Sequence, residues 1–178
     1  MSKIKVTIKG TCPLLQHRFS TPEEDPKWTK QTGLRDYSKE VLKALYADDE
    51  GKPYQPSDHI LGALIKASTD FKIPGKGKKT YKDLIQSALF IYPDAIPHKI
   101  PKWVVDRRPV VIQRSRIIRE RPRFDEWELS FEIDITDEQL PVDAVRKIIE
   151  HAGNRKGLGD FRPRFGRFMV SEFKELKE

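Results

Sequence analysis

The stretch Gly153-Asn154-Arg155-Lys156-Gly157-Leu158-Gly159-Asp160-Phe161-Arg162-Pro163-Arg164-Phe165-Gly166-Arg167-Phe168 interleaves glycines with guanidinium groups. Glycines let a backbone come close to a ligand and turn N–H groups toward anionic oxygens, and arginines supply forked donors that match phosphates. Phe161 and Phe165 are of the type that stacks on nucleobases. These residues point to binding of a sugar-phosphate chain by Arg155, Lys156, Gly157, Gly159, Arg162, Arg164 and Arg167. The competing reading is a tight helix-to-strand turn on Gly157 and Gly159, with core phenylalanines and solvated arginines. A turn needs glycine but not so many arginines beside it, which favours binding. Because the glycines follow a helix and precede a strand, the stretch is not a dinucleotide-binding fingerprint.

A second basic cluster comprises Arg107, Arg108, Arg114, Arg116, Arg119, Arg121 and Arg123. If Arg121-Pro122-Arg123-Phe124-Asp125 is a hairpin loop, Arg121 and Arg123 stand at its tip, free to meet a phosphate. Arg114 and Arg116 would instead face Glu126, Glu128, Glu132 and Asp134 across the ribbon and be neutralised. That acidic row also argues against RNA lying on the open sheet face. Lys76, Lys78, Lys79 and Thr80 lack P-loop spacing and read as a disordered basic loop. The histidines His17, His59, His98 and His151 have no metal-ligand spacing, and a single cysteine, Cys12, makes neither an intramolecular disulfide nor a multi-thiolate zinc site. No metal or cofactor is expected. Metal-free RNA cleavage would need a base near neutrality, for which His17 after the first strand is the candidate, and the neighbouring Arg18 is counted among the expected nucleic-acid contacts.

The elements that must position these residues follow from periodicity. Ile4, Val6 and Ile8 alternate with lysines, as in a half-buried strand. Residues 10–36 carry Pro13, Pro22 and Pro26 and form a long excursion with a polar tip at Thr21–Asp25. A short helix is expected over 38–46, and a longer one from Ser57, as cap, to Phe71, with Ile60, Leu61, Leu64 and Ile65 inward. Thr80 and Asp83 resemble a capping pair for an inserted helix, and prolines 93, 97 and 101 mark an irregular connection. A strand over 110–119 then precedes the alternation Trp127, Leu129, Phe131, Ile133, Ile135. Pro141 suits the first turn of a helix that stops at Gly153. Phe168 and Val170 begin a last strand, with Lys174–Glu178 as a frayed tail. The order βαββαβ implies an α+β, ferredoxin-like (RRM-like) sandwich. One domain spans 1–178, with an N-terminal excursion and a helical insertion, the insertions covering approximately 10–55 and 72–103.

The helix followed by Gly-x-Arg-Lys-Gly-x-Gly (153–159) and Gly-Arg-Phe-x-Val (166–170) resembles the glycine-rich loop of the RAMP superfamily, the RNA-binding subunits and guide-RNA-processing nucleases of CRISPR effector complexes. Pro56-Ser57 with Ile60-Leu61-Gly62-Ala63-Leu64 is also similar to the first helix of backbone-type members. The resemblance implies guide-RNA or other single-strand binding, with Gly157, Gly159 and Gly166 at loop positions. Relatives also occur outside CRISPR systems, including in phage genomes.

Length, a net charge of +7 from 34 basic and 27 acidic residues, and a 37% hydrophobic share fit a folded, basic domain. With no apolar run long enough for a bilayer and no signal-peptide pattern, a cytoplasmic protein without membrane contact is expected. The leading expectation is a non-catalytic single-stranded nucleic-acid-binding protein, RNA favoured, that multimerises along its ligand or joins a ribonucleoprotein. The alternatives are a metal-independent endoribonuclease of the same fold and a protein-interaction or virion-associated protein.

Overall fold

The alternation in the first strand is realised. In the computed structural model, which describes residues 2–19, 37–112 and 114–176, Ile4, Val6 and Ile8 are fully buried and Lys3, Lys5 and Lys9 face water, while Thr7 on the outward row is buried. The elements in chain order are β1 (Ser2–Gly10), β2 (Leu14–Leu15), α1 (Tyr37–Ala44), β3 (Tyr54–Pro56), α2 (Ser57–Ser68), α3 (Lys82–Ala88), β4 (Leu89–Tyr92), β5 (Ala95–Pro97), β6 (Val104–Ile112), β7 (Ser115–Phe124), β8 (Glu128–Ile135), α4 (Val142–His151), a π-helical turn (Ala152–Lys156) and β9 (Phe168–Leu176). The architecture is α+β with antiparallel sheets.

Four strands form the main sheet in the order β4-β8-β1-β9, every neighbouring pair antiparallel. Its inward row on β8 is Leu129, Phe131, Ile133 and Ile135, as the alternation required. These residues share one core with Ile60, Ala63, Leu64 and Ala67 of α2 and Val145, Ile148 and Ile149 of α4. Each Val, Leu, Ile or Phe among them removed from water contributes about 1.5–3 kcal/mol, enough to settle which face of each element turns inward.

The partner of β8 differs from expectation. Its hairpin-side neighbour is β4, from the segment expected as an insertion, while the single strand expected over 110–119 is divided between the end of β6 and the start of β7 in a separate three-stranded sheet ordered β2-β7-β6. The short run Leu89-Phe90-Ile91-Tyr92 alternates in burial, but it follows α3 without a break and reads in sequence as the end of that helix. Arg121–Phe124 is accordingly the C-terminal part of β7 and not a hairpin tip. The acidic row of β8 faces lysines: Lys3 stands opposite Asp134, Lys5 opposite Glu132 and Lys9 opposite Glu128. Two exposed aromatics, Phe90 and Tyr92, flank that row on β4.

Several ends also differ. Ser57 is the first residue of α2 and makes no side-chain cap; its N–H donates to the Asp94 carbonyl at 2.8 Å. Neither Thr80 nor Asp83 caps α3, which begins after Tyr81. The last helix runs past Gly153 through the π-helical turn and stops at Gly157, whose φ is +71°. A side chain at Gly153 would collide with the Phe168 carbonyl, so that glycine serves close helix–strand packing. Residues 174–176 continue β9 and are not a frayed tail. The Lys76 loop is tied down: Lys72 and Thr80 form a bridge, Ile73 N–H donates to the Lys79 carbonyl at 2.9 Å, and Tyr81 N–H donates to the Phe71 carbonyl at 3.1 Å. The polar tip expected at 21–25 lies outside the described residues.

Candidate nucleic-acid interface

The glycine-rich loop is zippered onto the segment after β1. Gly166 N–H donates to the Pro13 carbonyl at 2.8 Å, Asp160 N–H to Leu15 at 2.8 Å, and Thr11 N–H to Arg167 at 2.9 Å. Leu158, fully buried, anchors the middle and donates its N–H to the Gly166 carbonyl at 2.9 Å. A Cβ on Gly159 or Gly166 would strike the Leu15 or Leu158 carbonyl, and both positions have positive φ. The glycines are therefore required by neighbouring backbone. The amides of Gly157 and Gly166 are spent on the carbonyls of Ala152 and Pro13, so they do not point at a ligand as the composition had suggested.

A cleft of about 430 Å³ is lined by Lys66, Arg155, Lys156, Gly159, Asp160, Phe161, Arg162 and Pro163. Four expected site residues meet there: Arg155, Lys156, Gly159 and Arg162. Lys66, exposed on the last turn of α2, joins them from a helix whose sequence signals only core packing. Arg155 and Arg162 are exposed, and neither they nor Lys66 has a carboxylate partner among the described residues. Lys156 Nζ and His151 Nε2 each lie 2.9 Å from Asp70 Oδ2 and hold that carboxyl below its usual range. Arg162 also acts on His59, whose pKa is lowered first by burial and then by this positive charge.

The cleft's carboxylate is already neutralised. His17 Nδ1 lies 3.4 Å from Asp160 Oδ2 and Arg121 Nε lies 3.0 Å from the same oxygen, close as an ion pair but out of line for a hydrogen bond. The His17 contact, then the Arg121 charge and the Phe161 N–H, bring the Asp160 carboxyl down to about 2 against an opposing effect of burial. Phe161 sits in the left-handed region at φ +58°, a strained conformation for a residue with a side chain. Its ring is 47% exposed at the cleft, edge-on to Phe165 at 6.1 Å. Phe165 is buried beneath the Arg108 guanidinium, at 4.7 Å, and is not available to a base.

The remaining expected contacts lie elsewhere. Arg121 is buried and serves Asp160, which corrects its placement at an exposed tip. Arg123 is likewise engaged, with Asp125 at 2.8 Å and Asp106 at 3.2 Å. Arg107 pairs with Glu120, which stands opposite it in register, and Arg108 with Asp106. Arg164 is exposed outside the cleft lining, and Arg167 donates its Nε to the Pro163 carbonyl at 2.8 Å. Arg18 donates its backbone N–H to Ala44 at 2.9 Å. Behind this region runs a buried polar chain that the sequence did not advertise: Gln16 Nε2 lies 3.1 Å from Gln55 Oε1 and 3.3 Å from His98 Nε2, and Gln55 Nε2 lies 2.6 Å from His59 Nδ1. Burial lowers the His98 pKa to about 4, so this imidazole, stacked on Phe124, is neutral at pH 7. Among the described residues no cluster of three or more His, Cys, Asp or Glu is placed to hold a metal ion, and no helix is long and apolar enough to cross a membrane.

No family model and no curated protein matches the sequence. Solved structures do match its fold. A chain of the type III-B Cmr-beta complex bound to cognate target RNA superposes with a TM-score of 0.59 at 13% identity, covering 99% of this chain and 61% of that one. This chain shares the fold of that Cmr-beta chain. The RAMP-like resemblance read from the loop is thereby borne out at the level of fold. A CRISPR protein from Archaeoglobus fulgidus aligns over 99% of this chain and 65% of its own, at 14% identity and a TM-score of 0.43. This chain thus spans under two thirds of both.

Proposed function

We propose that this chain is a RAMP-like subunit that binds single-stranded nucleic acid, RNA in preference to DNA, without cutting it, within a cytoplasmic multi-subunit ribonucleoprotein or a homo-oligomer. The observation that carries the reading is the cleft. Lys66, Arg155, Lys156 and Arg162 line the cleft beside a carboxylate already in charge contact with Arg121 and His17, and an exposed ring, Phe161, stands at its edge. Guanidinium forks suit phosphate oxygens, and an aromatic face accepts any base, so the site suits a flexible single strand. The Cmr-beta complex, bound to target RNA, lends support through a shared fold. The sheet order β4-β8-β1-β9, with α2 between β1 and β4 and α4 between β8 and β9, supports reading the core as a ferredoxin-like βαββαβ unit with everything else inserted into a single domain.

The test is fluorescence anisotropy of a labelled single-stranded RNA across a salt series. Binding should weaken steeply with salt, since released counterions give a log–log slope of about −0.7 per phosphate contacted. Lys66→Ala/Arg155→Ala/Arg162→Ala should flatten that slope without lowering the melting temperature. Affinity unchanged in this variant removes the cleft as the site.

A second reading, metal-independent RNA cleavage, is favoured by the His17–Asp160 contact. A carboxylate on Nδ1 leaves Nε2 of a side chain that is 43% exposed as a general base. Cleavage persisting in EDTA and lost in His17→Ala would establish it; intact RNA across pH 6 to 8 would exclude it.

A further inference from the structure

The loop between α2 and α3 lies outside the cleft and has no role in the reading above. It presents Lys72, Lys76, Lys78 and Lys79, with Lys82 at the start of α3, all exposed and none paired with a carboxylate among the described residues. Lys76 Nζ instead contacts the Gln139 side-chain oxygen. The backbone is tied by the Lys72–Thr80 bridge and by Lys76 N–H to Ile73 and Lys79 N–H to Lys76, both 3.2 Å. Gly75 and Gly77 turn at φ +75° and +62° with no atom within 4 Å of a Cβ, so the tip faces open space. Like charges held together by an ordered backbone repel one another, a cost that a polyanion would relieve.

The loop's position relative to the cleft is fixed by α4. At the C-terminal end of that helix, Asp70 holds Lys156, which lines the cleft. Ahead of its N-terminal end, Gln139 meets Lys76. Ten residues of helix separate the two ends, a rise of about 15 Å. The outer sheet face offers no comparable track, because Lys3, Lys5 and Lys9 stand opposite Asp134, Glu132 and Glu128.

We infer that the lysine loop is a second contact for a single strand seated in the cleft, engaging the backbone of nucleotides that continue along α4. The inference rests on the proposed nucleic-acid binding. Ammonium groups act as point charges without fixed geometry, so this contact adds salt-sensitive affinity while the arginines of the cleft set orientation. A ligand too short to span α4 touches the cleft alone.

The experiment compares wild type with Lys76→Ala/Lys78→Ala/Lys79→Ala, using labelled oligouridylates of two nucleotides and of about 15 nucleotides over a salt series, with melting temperatures as the folding control. For the long ligand, the variant's log–log salt slope should be shallower by about 2 (three contacts at about 0.7 each), with Kd raised about tenfold at moderate salt. The dinucleotide should bind both proteins alike. The triple arginine variant at the same positions should restore the slope, because charge and not side-chain shape is at work. If wild type binds the long ligand and the alanine variant keeps its full slope, the loop contact is wrong and the cleft reading stands. If the dinucleotide is weakened as much as the long ligand, the loop is not a distal contact. If wild type binds neither ligand, both readings fall.

Discussion

The arginine loop, Gly157–Arg167, and the lysine loop, Lys72–Thr80, are both basic and both turn on glycines with φ between +62° and +75°. In the arginine loop those glycines are pressed against carbonyls of Phe165, Leu15 and Leu158. In the lysine loop nothing lies near them. The first is a packed platform whose buried Leu158 and Phe165, with Arg121 of β7 beneath it, hold the exposed Arg162 and Phe161 beside Arg155 of the preceding turn. The second is a surface turn whose order comes from its own backbone bonds. A shared basic, glycine-containing character thus conceals unequal rigidity, and rigidity separates an orienting contact from a purely electrostatic one.

The sharpest way to break this contrast is Gly166→Ala. Its new methyl meets the Leu158 carbonyl at an unfavourable φ, so the loss in denaturant unfolding should exceed about 4 kcal/mol. A smaller loss than that of Gly77→Ala would show that the arginine loop is not the packed one.

Asp160→Asn should cost about 2 kcal/mol by leaving the buried Arg121 charge without its carboxylate, the value reduced because Asp160 is one third exposed. The acid limb reports the same pair. The folded Asp160 carboxyl titrates near 2 against an ordinary 3.8, so its contribution is present above about pH 4 and is lost as pH falls toward 2. Denaturant midpoints measured down through this window should decline in wild type with a component absent from the variant. Identical acid limbs would leave the pair without energetic weight.

Phe161→Gly should separate stability from binding. Removing a side chain from a left-handed backbone stabilises the fold by about 1 kcal/mol, while loss of a stacking surface costs about 1–3 kcal/mol of RNA affinity, or roughly five- to 150-fold in Kd. A melting temperature and an affinity that fall together would mean that Phe161 only packs.

The smallest effect belongs to Gly77→Ala. Its site has room but a positive φ, so about 1 kcal/mol of stability is lost and salt-dependent binding is untouched. A collapse of binding on this change would give the lysine loop the geometric role assigned to the arginines.

What the sequence alone determined is whatever is written in local periodicity. The buried row of β1, the unbroken alternation of β8, the apolar faces of α2 and α4, and the basic glycine loop were all legible there, because burial of one face repeats every two or every 3.6 residues. The tertiary structure decided which strands pair and which charges are free. The four residues of β4 are too short to carry a distinctive period, so the neighbour of β8 was read one hairpin too late. Arg121 and Arg123 looked like exposed donors because their carboxylates, Asp160 and Asp106, come from remote or differently folded parts of the chain. Lys66 joined the site only when the end of α2 came to rest beside the loop. Pairing of charges depends on distance in space, and a one-dimensional pattern does not contain it.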